Sequence, residues 1–331
     1  MSSPNPDVQA ATLSKYGNGE VKDNVLTKTP FLGAVEKFGE VMYSQGGINY
    51  QPQAFRYNDG PGVEQWDGRG SHQIPDPVMY TNPTFVWTGG IVQYIDLEVD
   101  GLENQAGDTR RFNLAKQRRK DIENDWQPYW ESKLWLDGSS LTPSYWLGVP
   151  SFLKSTGTYG TIAQTNSYWA PYTLDGSTGV NSVTYANDPL KSIRYVVMGM
   201  ADRGAGKGIR IEGEKSIRAF TTSAMYQHIL SYHQSVGNTP ITVSTDEVGY
   251  NFANIVEHGV RIYYSPSATA SEMAFLDFSE FEFVFQTPDM FKVRVSESIQ
   301  PIGQITQMYT RGQLVHRNPW KNGRIHTSGV S

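Results

Sequence analysis

Residues 201–213, ADRGAGKGIRIEG, come nearest to chemistry, because a glycine-rich turn carrying Lys207 can cradle phosphate when a strand precedes it and a helix follows. The detail fails. The phosphate-loop pattern needs glycine where Ala201 stands and Ser or Thr where Gly208 stands, and without that hydroxyl the usual Mg²⁺ ligand is missing. Ile209 and Ile211 also read as a strand, so a flexible basic loop is the better account. The six histidines form no metal set: His228 and His233 are five apart and fall on different helix faces. The carboxylate pairs Asp246/Glu247 and Glu212/Glu214 read as solvated turns. Neither a G-x-S-x-G elbow nor an H-E-x-x-H helix occurs. With no cysteine, disulfides, thiolate metal sites and a cysteine nucleophile are excluded. No catalytic residue, cofactor site or metal site is assigned, and enzymatic activity is not expected.

Composition points the same way. The 331 residues can bury a sizeable core, and 28 Lys plus Arg against 33 Asp plus Glu give a formal charge of -5, which argues against gripping nucleic acid through its phosphates. The run Arg110, Arg111, Lys116, Arg118, Arg119, Lys120 is answered within a turn by Asp121, Glu123 and Asp125, a mixed helix surface. The opening MSSPNPDVQA has neither a basic start nor an apolar run, and no stretch of about 18 apolar residues occurs, so a soluble chain with no secretion signal and no membrane partner is expected. Abundant aromatics and 32 Gly suit strands and turns, and the expectation is mixed α and β.

The elements that would position any functional residue are organised around Thr109–Leu136. Phe112, Ala115, Ile122, Trp126 and Trp130 keep a helical period there, with charged residues opposite, Asp108 at the N-cap and Gly138 as the stop. Such a helix spans roughly 40 Å. Pro128 removes the amide that would bond to Asn124 and predicts a kink over 124–128. Residues 1–29 are polar and read as an arm ordered only when covered. Thr29–Tyr43 reads as a short helix, and Ile48–Tyr57 and Pro83–Val99 as strands pairing with one another. The 25-residue turn-rich stretch between them is too long for a compact domain and predicts a hairpin that projects toward another subunit. Ile193–Met200 reads as a buried strand, Ser223–Val236 as a helix, Ile241–Ser244 as a strand, Asp246–His258 as a helix and Val260–Tyr264 as a strand. FEFVFQTPDMFKVRV, 281–295, reads as a hairpin turning at Thr287–Asp289, with Glu282 opposite Arg294.

The end of the long helix at Leu134 and Trp135, then Asp137, Gly138, Leu147, Gly148, Val149, Phe152, Leu153, the Gly157–Gly160 turn, Tyr168 and Trp169, resembles the major capsid proteins of tailed bacteriophages with the HK97-like fold. The closing QLVHRNPWKNGRI is also similar to that family, and the order of parts agrees along nearly the whole chain. The resemblance implies an α+β HK97-like capsid fold with an N-terminal arm, a projecting β-hairpin (E-loop), a long spine helix in a peripheral domain, and a central α/β axial domain. The segments would be 1–47, arm and short helix; 48–99, hairpin; 100–189, spine helix and first part of the peripheral domain; 190–265, axial domain; and 266–331, returning strands and C-terminal segment.

The function so implied is structural: pentamers and hexamers of an icosahedral shell around double-stranded DNA, contacted without sequence specificity, assembled in the host cytoplasm and found in the virion. A portal protein is an implied partner, and with only about 29 residues before the first helix a separate scaffolding protein is expected. Candidate inter-subunit contacts are Arg56, Asp59, Glu64, Trp66, Asp67, Arg69 and Asp76 on the hairpin, with Trp66 its apolar anchor; Phe112, Ile122, Trp126 and Trp130 pack the spine. Some members of the family join subunits by an isopeptide bond from a hairpin lysine, but no lysine stands between Lys37 and Lys116 here. Two alternatives remain: an encapsulin-like compartment enclosing cargo protein, and an aromatic-rich carbohydrate-binding or tail protein, monomeric or trimeric.

Overall fold

The computed structural model describes residues 30–43, 47, 49–52, 54–56, 80–97, 114–138, 146–177, 184–203, 217–236, 242–243, 254–286, 292–298 and 303–327. In chain order its elements begin with α1 (Pro30–Phe38), β1 (Glu40–Tyr43), β2 (Asn49–Tyr50), β3 (Phe55–Arg56), β4 (Tyr80–Thr81), β5 (Phe85–Val86) and β6 (Thr88–Leu97). The spine helix α2 (Leu114–Leu134), α3 (Val149–Phe152), β7 (Thr158–Tyr159), β8 (Ile162–Ala163), β9 (Tyr172–Asp175), α4 (Pro189–Asp202), β10 (Ile217–Thr221) and α5 (Ser223–Ser235) follow. The chain continues through β11 (Thr242–Val243), β12 (Asn254–Glu257), β13 (Val260–Tyr264), β14 (Glu272–Asp277), β15 (Phe281–Phe285), β16 (Lys292–Ser298), β17 (Gly303–His316) and β18 (Gly323–His326).

Two sheets carry the molecule. The first is built on the 14-residue β17, which pairs antiparallel with β6, β15 and β16, while β1 lies parallel on β15. The second has the order β11-β12-β13-β10-β14-β18-β9, so β9, β14 and β18 join the strands of residues 217–264 in one sheet. Its centre is covered on both sides. Ile217, Ala219, Ile262, Met273 and Phe275 face a core with Ile193, Val196, Val197 and Met200 of α4, while Phe220, Tyr263, Ala274 and Leu276 face the core around the spine helix. All five residues of β10 are therefore buried, as expected of a strand that can spare no polar face.

The spine helix lies across the first sheet through Trp126 and Trp130, which are 2% and 3% exposed. Trp126 stands at right angles to Tyr129, 5.3 Å away, and Trp130 meets Phe283 edge-on at 5.5 Å. Close approach depends on Gly90 of β6, where a Cβ would come within 2.8 Å of the Trp126 ring. Leu134 continues the stripe and is fully buried. The helix runs unbroken through Pro128. Phe112, the Asp108 cap and the arm 1–29 lie outside the described residues.

Several expectations are corrected. Ile193–Met200 belongs to a helix, because its buried residues recur at three- and four-residue steps and Asp188 caps the start, its side chain accepting from the Lys191 amide at 3.0 Å behind Pro189. The apolar density that reads as a strand arises because the exposed side of this helix also carries apolar residues, Tyr195 and Met198. Of the helix expected over Asp246–His258, residues 246–253 lie outside the described residues and 254–257 form β12, which turns into β13 through His258 and Gly259, both at positive φ (47° and 80°), a two-residue hairpin turn. The helix expected over Thr29–Tyr43 stops at Gly39, and Val41 extends in register with Phe283. Residues 48–57 and 83–99 pair at Asn49–Tyr50 with Phe85–Val86; Phe55–Arg56 pair instead with Tyr80–Thr81, ahead of the expected second strand, and β6 pairs with β17.

The largest correction concerns 281–295. β15 and β16 do not form a hairpin; both run antiparallel to β17, β15 along residues 312–316 and β16 along residues 303–309. Glu282 therefore faces Val315 and Glu40, and Arg294 faces Gln307. A strand of 14 residues offers more unpaired edge than either short partner could, and that edge takes both.

Trp126→Ala is expected to cost roughly 3 to 5 kcal/mol, the range for emptying a buried aromatic site. Urea unfolding of the variant checks it, and an unchanged midpoint would place that ring outside the core.

Candidate assembly site

α1 has no acidic residue in its first turn, so the amides at its start need acceptors from elsewhere. Glu131 of the spine helix supplies them. It is 2% exposed, and its Oε1 accepts from the Phe31 amide at 3.3 Å while Oε2 accepts from the Leu32 amide at 2.9 Å. Oε1 also accepts from Ser265 Oγ, just after β13, at 3.0 Å, and from Trp135 Nε1 at 3.4 Å. One carboxylate thus joins the first helix, the spine and the second sheet. Burial pushes its pKa above the usual carboxylate range, and the four donors together with the positive end of α1 oppose that shift. Phe31 fills the space beneath, with Trp135 at 5.3 Å, Phe220 at 5.6 Å and Phe281 at 6.0 Å.

The root of the hairpin is fixed by a second set of polar contacts. Tyr50 of β2 donates to Glu282 Oε2 at 2.6 Å, and Arg317 Nη1 reaches Glu282 Oε1 at 3.2 Å. Burial, then the Glu282 carboxylate, raises the Tyr50 pKa, so the phenol stays a donor. Gln313 works in both directions, donating to the Val86 carbonyl at 3.2 Å and accepting from the Leu147 amide at 2.9 Å. Trp87 Nε1 and Gln286 Nε2 both donate to the Gly47 carbonyl, at 3.2 and 3.1 Å. Phe85 meets Tyr159 at 5.0 Å, over Gly160 at φ +58°, where a Cβ would strike Phe85 and Pro83 at 2.7 Å.

His316 completes the core between these roots. It is fully buried between Phe152 and Phe281, accepts at Nδ1 from the Asn318 amide at 3.3 Å and faces the Asp277 carbonyl with Nε2 at 3.2 Å. That pattern fits a neutral ring protonated at Nε2, and burial brings its pKa down to about 4.

Among the residues expected to act, Trp126 and Trp130 are packed as above, and Arg56 sits in β3, its backbone paired with Tyr80. Ile122 lies within the spine helix. Asp59, Glu64, Trp66, Asp67, Arg69 and Asp76 lie outside the described residues, as does the Lys207 loop. Glu131 and His316 were not anticipated, and Glu282, expected opposite Arg294, meets Tyr50 and Arg317 instead. The one available signal for Glu131 was α1 itself, a helix whose start lacks an acidic partner of its own. Among the described residues no group of three or more His, Asp or Glu could hold a metal, and no helix is long and apolar enough to cross a membrane.

This architecture recurs in solved structures. The chain is similar to a subunit of the cyanophage A-1(L) capsid over 93% of its own length and 95% of that chain, with a TM-score of 0.67 at 12% identity. It is also similar to the capsid of a native GTA particle, 94% of each chain, TM-score 0.64, 11% identity. A third similarity is to an encapsulin complex from Synechococcus elongatus, 98% and 96%, TM-score 0.58, 9% identity. No protein-family model matches the sequence, and no curated protein matches it. At these identities the agreement is one of fold: the chain has the α+β HK97-like capsid fold.

Two results are expected here. Glu131→Ala strands two backbone amides and two side-chain donors in the core and should cost roughly 3 to 5 kcal/mol; Glu131→Gln, which keeps one acceptor but sets an NH₂ against Leu32, should cost less, about 1 to 3 kcal/mol. Equal losses in urea would show that the Oε1 contacts, which Gln keeps, contribute nothing. Because the folded state holds the His316 pKa at about 4, below the ordinary 6.5, its contribution is full above about pH 6.5 and is lost as pH falls toward 4, on the order of 3 kcal/mol. Unfolding midpoints from pH 7 to 4 should show that slope, and His316→Gln should flatten it.

Proposed function

We propose that this chain is the major capsid subunit of a tailed bacteriophage, assembling into pentamers and hexamers of an icosahedral shell that encloses double-stranded DNA, and that it acts without catalysis. The observation that carries this reading is the agreement with the A-1(L) capsid subunit along nearly the full length of both chains. The exposed apolar residues support it: Tyr195 and Met198 on one side of α4, at 44% and 61%, and Val86 and Tyr80 near the hairpin root, at 55% and 60%, are surfaces that a subunit buries on its neighbours. On this reading the hairpin residues Arg56, Asp59, Glu64, Trp66, Asp67, Arg69 and Asp76 meet the adjacent subunit, Phe112 and Ile122 extend the spine packing, and residues 190–265 form the axial domain. A scaffolding protein and a portal are the partners it calls for, and the virion, filled in the host cytoplasm, is its destination.

The likeness to an encapsulin supports a second reading, a shell that holds protein cargo. The contents distinguish them. Particles purified from the native source should be closed shells by electron microscopy and contain nuclease-protected double-stranded DNA; protein cargo without DNA would favour the compartment, and a trimer or monomer would remove both. With no lysine between Lys37 and Lys116 the hairpin cannot supply the amine for an isopeptide link, so boiling in denaturing detergent should release one band near 37 kDa, and a covalent ladder would contradict this account.

A further inference from the structure

Two stretches of chain cross side by side from one sheet to the other. Residues 277–281 leave β14 and enter β15 through the turn Phe278–Glu280, and residues 316–323 leave β17 and enter β18 through the turn Pro319–Lys321. Polar contacts clasp the two crossings together. The Arg317 amide donates to the Glu280 carbonyl at 2.9 Å and Arg317 Nη2 to the Ser279 carbonyl at 3.0 Å. The Asp277 amide donates to Asn322 Oδ1 at 3.0 Å, and Lys321 pairs with Glu280. His316 opens the second crossing and touches both, its neutral ring donating from Nε2 to the Asp277 carbonyl and accepting at Nδ1 from the Asn318 amide. The second crossing also reaches α4, since Arg203 lies over the Trp320 ring at 5.6 Å and donates to the Trp320 carbonyl at 3.3 Å.

A further proton on this ring has one place to go. Nε2 already carries one, so the second enters at Nδ1, where it meets the Asn318 N–H; two donors then face each other and that bond is lost. The ring also becomes a cation between Phe152 and Phe281, whose centroids lie 5.1 and 4.6 Å away. The polar groups packed around it do not replace the lost bond. Glu280 is engaged by Lys321 and by Arg317, which also reaches Glu282, and the Asp277 carboxylate accepts from the Ser279 amide and hydroxyl. Tyr159, from β7, turns its hydroxyl to the His316 amide at 2.8 Å, and Lys321 adds a charge of the same sign as the protonated ring. We propose that His316 is a proton-operated catch: a proton on Nδ1 releases the turn 317–322 from the first crossing and opens the joint between the two sheets while the sheets themselves stay folded. The device belongs to the single chain and does not depend on the shell reading.

Hydrogen exchange of the full-length chain, read by mass spectrometry and corrected for the intrinsic pH dependence of amide exchange, tests it. In the open joint the ring meets water and titrates near the ordinary 6.5, against about 4 when closed, so opening should rise roughly tenfold per pH unit as pH falls from 6.5 to 4. Peptides covering 317–322 should lose protection by that factor, while those from β10 and from residues 308–315 of β17 keep theirs. The His316 ring, followed by NMR in the same samples, should take up its proton over the same range. His316→Gln stays neutral at every pH, and its 317–322 peptides should keep a protection that does not vary with pH; if that variant does not fold, the coincidence of ring and amide titrations in the wild type decides. Unchanged protection of 317–322 at pH 4 overturns the proposal, as does a ring that titrates outside the range of the amides. Opening at the same pH in folded His316→Gln would assign the effect to the Asp277 or Glu280 carboxylate and also overturns it. So does loss of protection in β10 and β17 in the same step, which would make the event global unfolding.

Discussion

The arrangement of α1, the spine and the second sheet depends on one buried carboxylate. Glu131 sits where the amides of Phe31 and Leu32 open a helix that brings no acid of its own, and where Ser265 leaves the second sheet. A charge so placed is costly to desolvate, and the cost is offset only while every donor is in position. The contact therefore specifies as well as stabilises: a shift of α1 by one residue, or of the strand ending at Tyr264 relative to the spine, strands a charge and four donors together. The aromatic packing around Phe31 tolerates small displacements better than that set of hydrogen bonds does.

The second constraint is the length of β17. One strand carries β6 along residues 303–312 and two separate partners, β15 and β16. Its residues near 312–316 lie in the aromatic core with Trp130, Phe283 and Phe285, while those near 303–309 reach the exposed end where β16 presents Lys292 and Arg294. A single element thus passes from buried scaffold to open surface. The paired strands β2 and β5 are tied at the buried end, through Tyr50 on Glu282 and Gln313 on Val86, so their direction is set by the core.

What was legible in the sequence follows from these two features. Trp126 and Trp130 are visible because a helix against one sheet keeps a regular stripe, and α5 is visible for the same reason of one-sided burial; β13 shows through its β-branched and aromatic composition although Ile262 and Tyr263 face different cores. The period is masked where the exposed side of an element is itself apolar, as at Tyr195 and Met198 of α4, or where both faces of a strand are buried, as in β15. Ile193–Met200 looked like a strand although Asp188 and Pro189 wrote a helix start before it, and FEFVF looked like half of a hairpin because its partner, β17, lies 27 residues further on from Phe285 to Gly312. Pairing between distant segments leaves no local mark beyond alternation. Glu131 and His316 were invisible for a related reason: a buried polar residue reads as a surface one until its donors and acceptors, drawn from four different segments, are brought together. The ordered series of small features around Asp137, Gly148 and Gly160 carried more information about the fold than any one of them, since each records a close backbone approach that the fold needs in turn.

The same physics bears on how a shell subunit could persist at such low sequence identity. The fold is shared at 9 to 12% identity, so the residues that hold it are interchangeable in kind. A core of aromatic contacts can be repacked, and a capping carboxylate can be supplied from another helix, provided that donors and volume are conserved. A surface that must meet copies of itself is freer still, because any change on one patch is matched by a change on the patch it meets, in the same chain.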